Sequence, residues 1–591
     1  MVEKLTPVQL SIMSNRLDSV CREMTNTMLL TARSSVLGVA RDFSVSIVTS
    51  EDEVLASAEG IPLHVWGSNL QTGCMRRNHP DFREGDAYLH NDPYDGNSHA
   101  ADHTLLVPVF FEGEHFFTTA VKAHQADTGN SLPTTYMAQA ADVYQEGALI
   151  FSAVKVQENY KNIDDIIRMC RRRIRVPDQW YGDYLASIGA ARIGERSLKK
   201  FVEKYGKDTV RSFVREWLDY SERRCIDAIK KLPKGRLEAN QSHDPIEPWV
   251  PDGIPVNVKI DIDPDEAMVT VDLRDNIDCI DAGLNLTECT STMAAAHGVL
   301  TCLGSDLPTN AGIMRRIKVL LRENCVVGIP RFPHSCSVAT TNLTDIIINV
   351  TQSSFADLGE GQGYAHGNYC NSAAAGVASG KDWRRGGEPY INQMFLMGGG
   401  GPASSETDGM HYIFVAVGAG LLYRDSVEID EQRFPILVKK MQLMEDSMGH
   451  GRRRGGQGPE VIMGPRKDPI HILHACNGLE SAPIGVRGGT GSKLGGNVLI
   501  DGDGKEHPYP AVMICDLEEG EMLRARDQGG GGYGPAVERE PARVLKDVEN
   551  YVISEEIARS VYGVEITGSR ADDTLSVDFE ATEKLRSETL N

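Results

Sequence analysis

A chain of 591 residues is longer than one hydrophobic core usually organises, and 41% apolar with 24% charged residues is a globular composition rather than that of a disordered tail. Its 83 acidic against 61 basic residues leave a net charge of -22, which argues against a nucleic-acid or anionic-membrane surface. The N-terminal MVEKLTPVQLSIM lacks the apolar stretch of a secretory signal, and no run has the length and apolarity of a membrane span, so a cytoplasmic protein is expected. Twelve cysteines are scattered with no CxxC pair, a pattern that reads as small buried apolar residues rather than disulfides or a structural zinc knuckle.

The predicted elements begin with one long amphipathic helix, from the helical spacing of Leu10, Met13, Leu17, Val20, Met24 and Met28, ending before Gly38. FSVSIVTS and EVLASA then alternate as a strand hairpin around the charged SEDE, which puts Asp42 at the mouth of a strand. Residues 85–128 read as strand, loop, strand, strand: DAYLH, the turn-rich NDPYDGNSH, HTLLVPVFF and HFFTTAVKAH. From 158 to 232 the pattern is helical and charged; Pro- and Asp-rich residues 243–253 then precede the alternating VNVKIDID and AMVTVDLRD. A helix is expected over 290–304, and the later glycine tracts predict a β-rich C-terminal half with tight turns and backbone-lined loops. The expected fold is mixed α/β (α+β) and multi-lobed, divided as 1–157, 158–242, 243–430 and 431–591.

The chemically dense stretch is the loop after DAYLH. It offers Asp92, Asp95, His99, Asp102 and His103, and the following hairpin ends in AHQAD with His124 and Asp127. Imidazole and carboxylate together suit zinc, manganese or iron(II). The HxxD step of His99 and Asp102 lies at a loop end, His124 closes the returning hairpin, and Asp42 starts a neighbouring strand. From spacing alone a metal site stands beside a plainer alternative, in which Asp and Asn cap turns and the histidines hydrogen-bond locally. No glycine tract matches GxxxxGK[ST], so these read as structural turns rather than a nucleotide site; Arg452, Arg453 and Arg454 in GHGRRRGGQGP read as a solvated or partner-facing turn.

RDFSVSIV, HNDPYDGNSHAADHTLLVPVF, AHQADTGN, RVPDQWYGDYLASIGAARIGER, MGGGGPASSETDG, GRRRGGQG and QGGGGYGP resemble, in order and over nearly the whole chain, the hydantoinase B/oxoprolinase family. The resemblance implies the metal-bearing B-type subunit of a hetero-oligomer, in which an A-type, hydantoinase A-like ATPase subunit binds ATP and magnesium and phosphorylates a carbonyl oxygen. It implies His99, Asp102, His124 and Asp42 as ligands of a divalent metal, His124 as catalytic, and Asp127 as the residue that orients it. The implied activity is ATP-dependent hydrolysis of a cyclic amide (hydantoin, oxoproline or lactam). The alternatives are a bicarbonate-using carboxylase of acetone or acetophenone and a non-catalytic scaffold of the same complex. The chain departs from the family pattern at Gly96-Asn97-Ser98 before the first ligand, at Asn130 and at Gln528, which puts substrate identity most in question.

Overall fold

A computed structural model describes residues 4–58, 60–304, 306–369, 372–413 and 422–589. The first helix spans Pro7–Thr31; Thr6 caps it reciprocally with Gln9, and Met13, Leu17, Val20, Cys21, Met24 and Met28 form its buried stripe. It stops earlier than the periodicity predicts. Asp183 accepts hydrogen bonds from the backbone N–H of Arg33 (2.6 Å) and Ser34 (3.1 Å), which turns the chain into a separate short helix, Ser35–Gly38. A carboxylate 150 residues away thus replaces the helical acceptors.

Seven strands form the sheet that carries the dense loop: β1 (Phe43–Thr49), β2 (Val54–Ser57), β3 (Ala87–His90), β4 (Asp102–Phe111), β5 (Glu114–His124), β6 (Val154–Glu158) and β7 (Lys161–Asn162). Their order is β2-β1-β5-β4-β3-β6-β7, and every pairing is antiparallel. The register places Asp102 opposite His124 and Phe43 opposite Ala123. The start of β1, the start of β4 and the end of β5 therefore meet at one end of the sheet. The helices Asp164–Arg173, Pro177–Tyr205 and Lys207–Ile229 fill the expected helical segment, and the second of them packs against the first helix and against β4 and β5.

A second sheet (Gly235–His243, Ile254–Asp263, Met268–Asp272, Ile317–Leu320) packs with the helices Glu288–Leu303 and Leu343–Ser354. The latter helix is buried at all of its positions, polar Asp345, Asn349 and Gln352 included. Two further sheets, of four and five strands, and a small two-stranded one occupy the C-terminal part, which confirms the mixed α/β class. One continuous hydrophobic cluster runs from Met13 to Ala525; a smaller one joins Met448 to residues 544–564 near the C-terminus, where the helices Pro541–Glu549, Glu555–Ser560 and Phe579–Thr589 were not expected.

The glycine tracts pack backbone against backbone. A Cβ on Gly455 would lie 1.9 Å from the Gly530 carbonyl oxygen, and one on Gly456 1.8 Å from that of Met410, while Gly530 N–H donates to Gly456 O at 2.9 Å. Only glycine permits that approach. Gln528 ties the arrangement down, donating to the carbonyls of Gly478 (2.6 Å) and Ser481 (2.9 Å). All eleven described cysteines are free, nine of them buried; Cys370 lies outside the described residues. Among the described residues no helix is long and apolar enough to cross a membrane.

Candidate metal centre

The ligand loop is fixed before any ion is considered. Asn97 donates through Nδ2 to the carbonyls of His99 (2.5 Å) and Asp102 (2.9 Å) and accepts from Gln71 Nε2 (2.5 Å). Ser98 Oγ donates to Asp102 Oδ2. Asn97 and Ser98, two of the departures from the family pattern, thus hold the HxxD turn in place. Gly96 has φ +95°, and a Cβ there would lie 2.3 Å from Leu70 Cβ. Gly96→Ala is therefore expected to destabilise the protein by about 1–3 kcal/mol and to weaken metal retention by shifting the loop; melting curves and metal content together check this.

His99 Nε2, Asp102 Oδ1 and His124 Nδ1 converge: Asp102 Oδ1 is 2.9 Å from each nitrogen, and the two nitrogens are 3.2 Å apart. All three residues are buried. His99 Nδ1 lies 2.9 Å from the Ser337 carbonyl oxygen, which only accepts, so Nδ1 carries the ring proton and a neutral His99 presents a bare Nε2 to the other two atoms. His124 Nε2 faces Thr135 Oγ1 at 3.1 Å. Three acceptor atoms this close need a shared proton or a cation between them. Ligand atoms ~2.0–2.2 Å from one ion lie about 2.8–3.1 Å apart at right angles and about 3.3–3.6 Å apart at tetrahedral angles, so the observed 2.9–3.2 Å fits a small divalent ion with angles nearer 90°, with outer partners already orienting the rings.

Burial pushes the Asp102 carboxyl up, but the charges of His99 and His64 and hydrogen bonds from His124 and His64 outweigh it and hold Asp102 well below the usual carboxylate range. Burial likewise opposes a proton on His99, yet Asp102 raises that ring above its ordinary value. For Asp42 burial dominates, and its carboxyl is pushed up despite His124 and His64. A cation in the pocket would stabilise both carboxylates.

Asp42 shares the pocket but stands outside the three-residue group, approached by His64 Nε2 at 3.7 Å. His64 was not anticipated. Its Nε2 is 3.2 Å from Asp102 Oδ2, and the short helix Pro62–Val65 presents it from an otherwise apolar stretch whose single histidine was the only signal. Tyr136 stacks on His124 (ring centroids 5.6 Å apart, 18°), and Gln393 and Thr340 complete the polar wall. Asp127 does not reach His124. Its carboxylate accepts from Arg175 N (2.5 Å), Arg175 Nη1 (2.8 Å) and Gly129 N (3.1 Å), so it fixes the chain after β5 to residue 175 rather than orienting the ring. Asp92 and Asp95 likewise serve the loop: Asp92 accepts from Tyr94 N and Asp95 pairs with Arg77. His103 faces Trp180 Nε1 instead.

A mixed α/β chain whose His99, Asp102 and His124 bring ligand atoms together, with the spacing to hold a metal ion, at the end of an antiparallel sheet is the class that fold and site define. Residues 6–536 match the family described as Hydantoinase B/oxoprolinase, and the chain belongs to that family. Caprolactamase subunit beta of Pseudomonas jessenii is 27% identical over 574 residues, covering 95% of this chain and 97% of that one. The crystal structure of ATP-dependent caprolactamase from Pseudomonas jessenii aligns with TM-score 0.89 at 25% identity, over 99% of this chain and 100% of that chain. Nucleotide-free acetone carboxylase shares the fold, with TM-score 0.85 at 18% identity over 99% of this chain and 83% of that one.

Proposed function

We propose that this chain is the metal-bearing subunit of an ATP-dependent cyclic amide hydrolase, working with an A-type ATPase subunit that binds ATP and magnesium and phosphorylates the amide carbonyl. The observation that carries the reading is the convergence of His99 Nε2, Asp102 Oδ1 and His124 Nδ1 within 3.2 Å, in a chain whose near-full-length relatives include a caprolactamase subunit. Amide resonance makes the carbonyl a poor electrophile; phosphorylating its oxygen removes that resonance, so that water adds to the carbon, the ring nitrogen leaves as the amine with breakage of the C–N bond, and a second water releases phosphate from the resulting acyl phosphate. A bound divalent metal, zinc, manganese or iron, would act as Lewis acid and lower the pKa of water at the site.

The protein's own groups do the positioning. Ser337 O and Thr135 fix the two rings, and Asn97 and Ser98 fix Asp102. Asp42 and His64 lie beside the ligands as a carboxyl and an imidazole able to hold or pass a proton. Gln393 Oε1 is buried, has no hydrogen-bond partner among the described residues and lines the pocket, an acceptor suited to a substrate amide N–H. A ketone offers no such donor, and the likeness to the carboxylase is one of fold.

The test is to co-purify the chain with its A-type partner and measure ATP turnover against lactams, hydantoins and ketones, with and without bicarbonate. Lactam- or hydantoin-stimulated ATP cleavage that needs no bicarbonate is expected from the pair, and none from the chain alone. Ketone consumption that stops when bicarbonate is omitted would replace hydrolysis by carboxylation.

A further inference from the structure

The space around the metal cluster is only about 20 Å³, room for roughly one water and not for a ring. Next to it lies a cavity of about 670 Å³, the size of a small-molecule site. The two share Ile61 and Leu422 as a wall, and Arg41, which lines the larger cavity, directly precedes Asp42, which lines the smaller. A substrate too large for the inner pocket would sit in the outer cavity and reach inward past Ile61 and Leu422.

The outer cavity is positively lined in a protein of net charge -22. Arg22, Arg41 and Arg424 face it, and among the described residues no carboxylate does. Neither Arg22 nor Arg41 is held in an ion pair within the described residues; Arg22 feels Asp18 one turn back on its helix, and Arg41 lies 3.9 Å over the Tyr423 ring. Arg41 also adopts φ +60°, a left-handed conformation that is strained for a non-glycine residue, and the backbone around it is fixed by Tyr423 N–H donating to Ala40 O at 2.9 Å. Arg424 lies deeper, 5.3 Å from the Tyr412 ring. Burial pushes its guanidinium down to about 10 in spite of Tyr412, Asp527 and Asp425, so it remains charged at neutral pH.

We infer that this cavity is the receiving site for an anionic group on the substrate, a phosphoryl or a carboxylate, held by Arg22 and Arg41 with Arg424 behind them, so that the reacting end faces the metal cluster. Guanidinium forks match both groups bidentately. In a strongly acidic protein, a local basic lining also concentrates anions at this cavity. The inference rests on the reading above only for what happens beyond Ile61 and Leu422.

The test uses the purified full chain with its metal content measured, and two probes with the same ring, phenyl phosphate and benzoate, by titration calorimetry. Arg22→Gln and Arg41→Gln are each expected to weaken binding on the order of ten-fold, with metal content unchanged, while Arg236→Gln on the exposed strand Gly235–His243 has no effect. Tighter binding of phenyl phosphate assigns a phosphoryl group; equal or tighter binding of benzoate assigns a carboxylate. On the unmodified chain, whichever of the two anions binds more tightly should outbind phenol at least ten-fold at low salt and lose that advantage at high salt, a measurement that does not depend on variants folding. Failure of both anions to outbind phenol, or unchanged affinity in the folded arginine variants, overturns the inference. Intact anion binding in a chain that cleaves no cyclic amide with its partner would remove the proposed reaction and leave this site standing.

Discussion

Asp102→Ala is expected to strip the metal and end substrate turnover. Asp102 touches every other member of the cluster: Oδ1 lies 2.9 Å from both His99 and His124, and Oδ2 lies 3.2 Å from His64 and accepts from Ser98. Alanine removes one ligand, leaves two imidazoles without their shared acceptor, and opens a void among fully buried groups. Loss of a direct ligand should exceed the ~10–100-fold in affinity or activity that outer partners cost. His99→Ala should behave alike, since its ring is already aimed by the Ser337 carbonyl. Asp127→Asn is the control. Its carboxylate serves Arg175 and Gly129, so this variant should lose about 1–3 kcal/mol of stability yet keep its metal. Elemental analysis of the purified variants decides the matter, and stoichiometric metal in Asp102→Ala would remove Asp102 from the ligand set.

The parts of this site that could be read from sequence are those that local physics dictates. Alternating strands bounded by turn residues gave β4 and β5, and an antiparallel hairpin between them necessarily returns His124 to the level of Asp102. Phe43 pairing with Ala123 brings Asp42 to the same end by the same logic. What stayed hidden depends on contacts across hundreds of residues. Ser337, Thr340 and Gln393 reach the pocket from segments with no pattern linking them to the loop, and His64 gave only a lone imidazole in an apolar stretch. The helix Leu343–Ser354 keeps a helical period, with Leu343, Ile346, Ile347 and Val350 on one side and Asp345, Asn349 and Gln352 on another, but its β-branched run Ile346-Ile347-Ile348 also suits a short strand. The resemblance that implies an orienting role for Asp127 carries no information about Arg175, 48 residues further on, with which its carboxylate pairs. The early end of the first helix has the same origin, a distant carboxylate outbidding local propensity.

The second large effect expected is an uncoupling. In a complex carrying His124→Ala, ATP cleavage should persist in the presence of substrate while release of the opened product falls by three orders of magnitude or more, the scale on which removing a reaction's essential activating group acts. The candidate ligands converge at one end of a single sheet, whereas the sequence has no P-loop and Gly400, Gly455, Gly456 and Gly530 pack directly against neighbouring backbone. If the partner subunit phosphorylates the carbonyl, that step needs the substrate and ATP but none of the groups at His124. Removing His124 takes away one ligand and the ring that stacks on Tyr136, and leaves the phosphate acceptor untouched. Activated substrate would then accumulate or decay to phosphate without opening the ring. Phosphate and product release measured side by side on the same preparation, with subunit assembly verified by size, give the ratio directly. A parallel fall of both would place the metal in the activation step, or in the coupling that lets one subunit sense the other's occupancy, and the division of chemistry proposed for the two subunits would have to be redrawn.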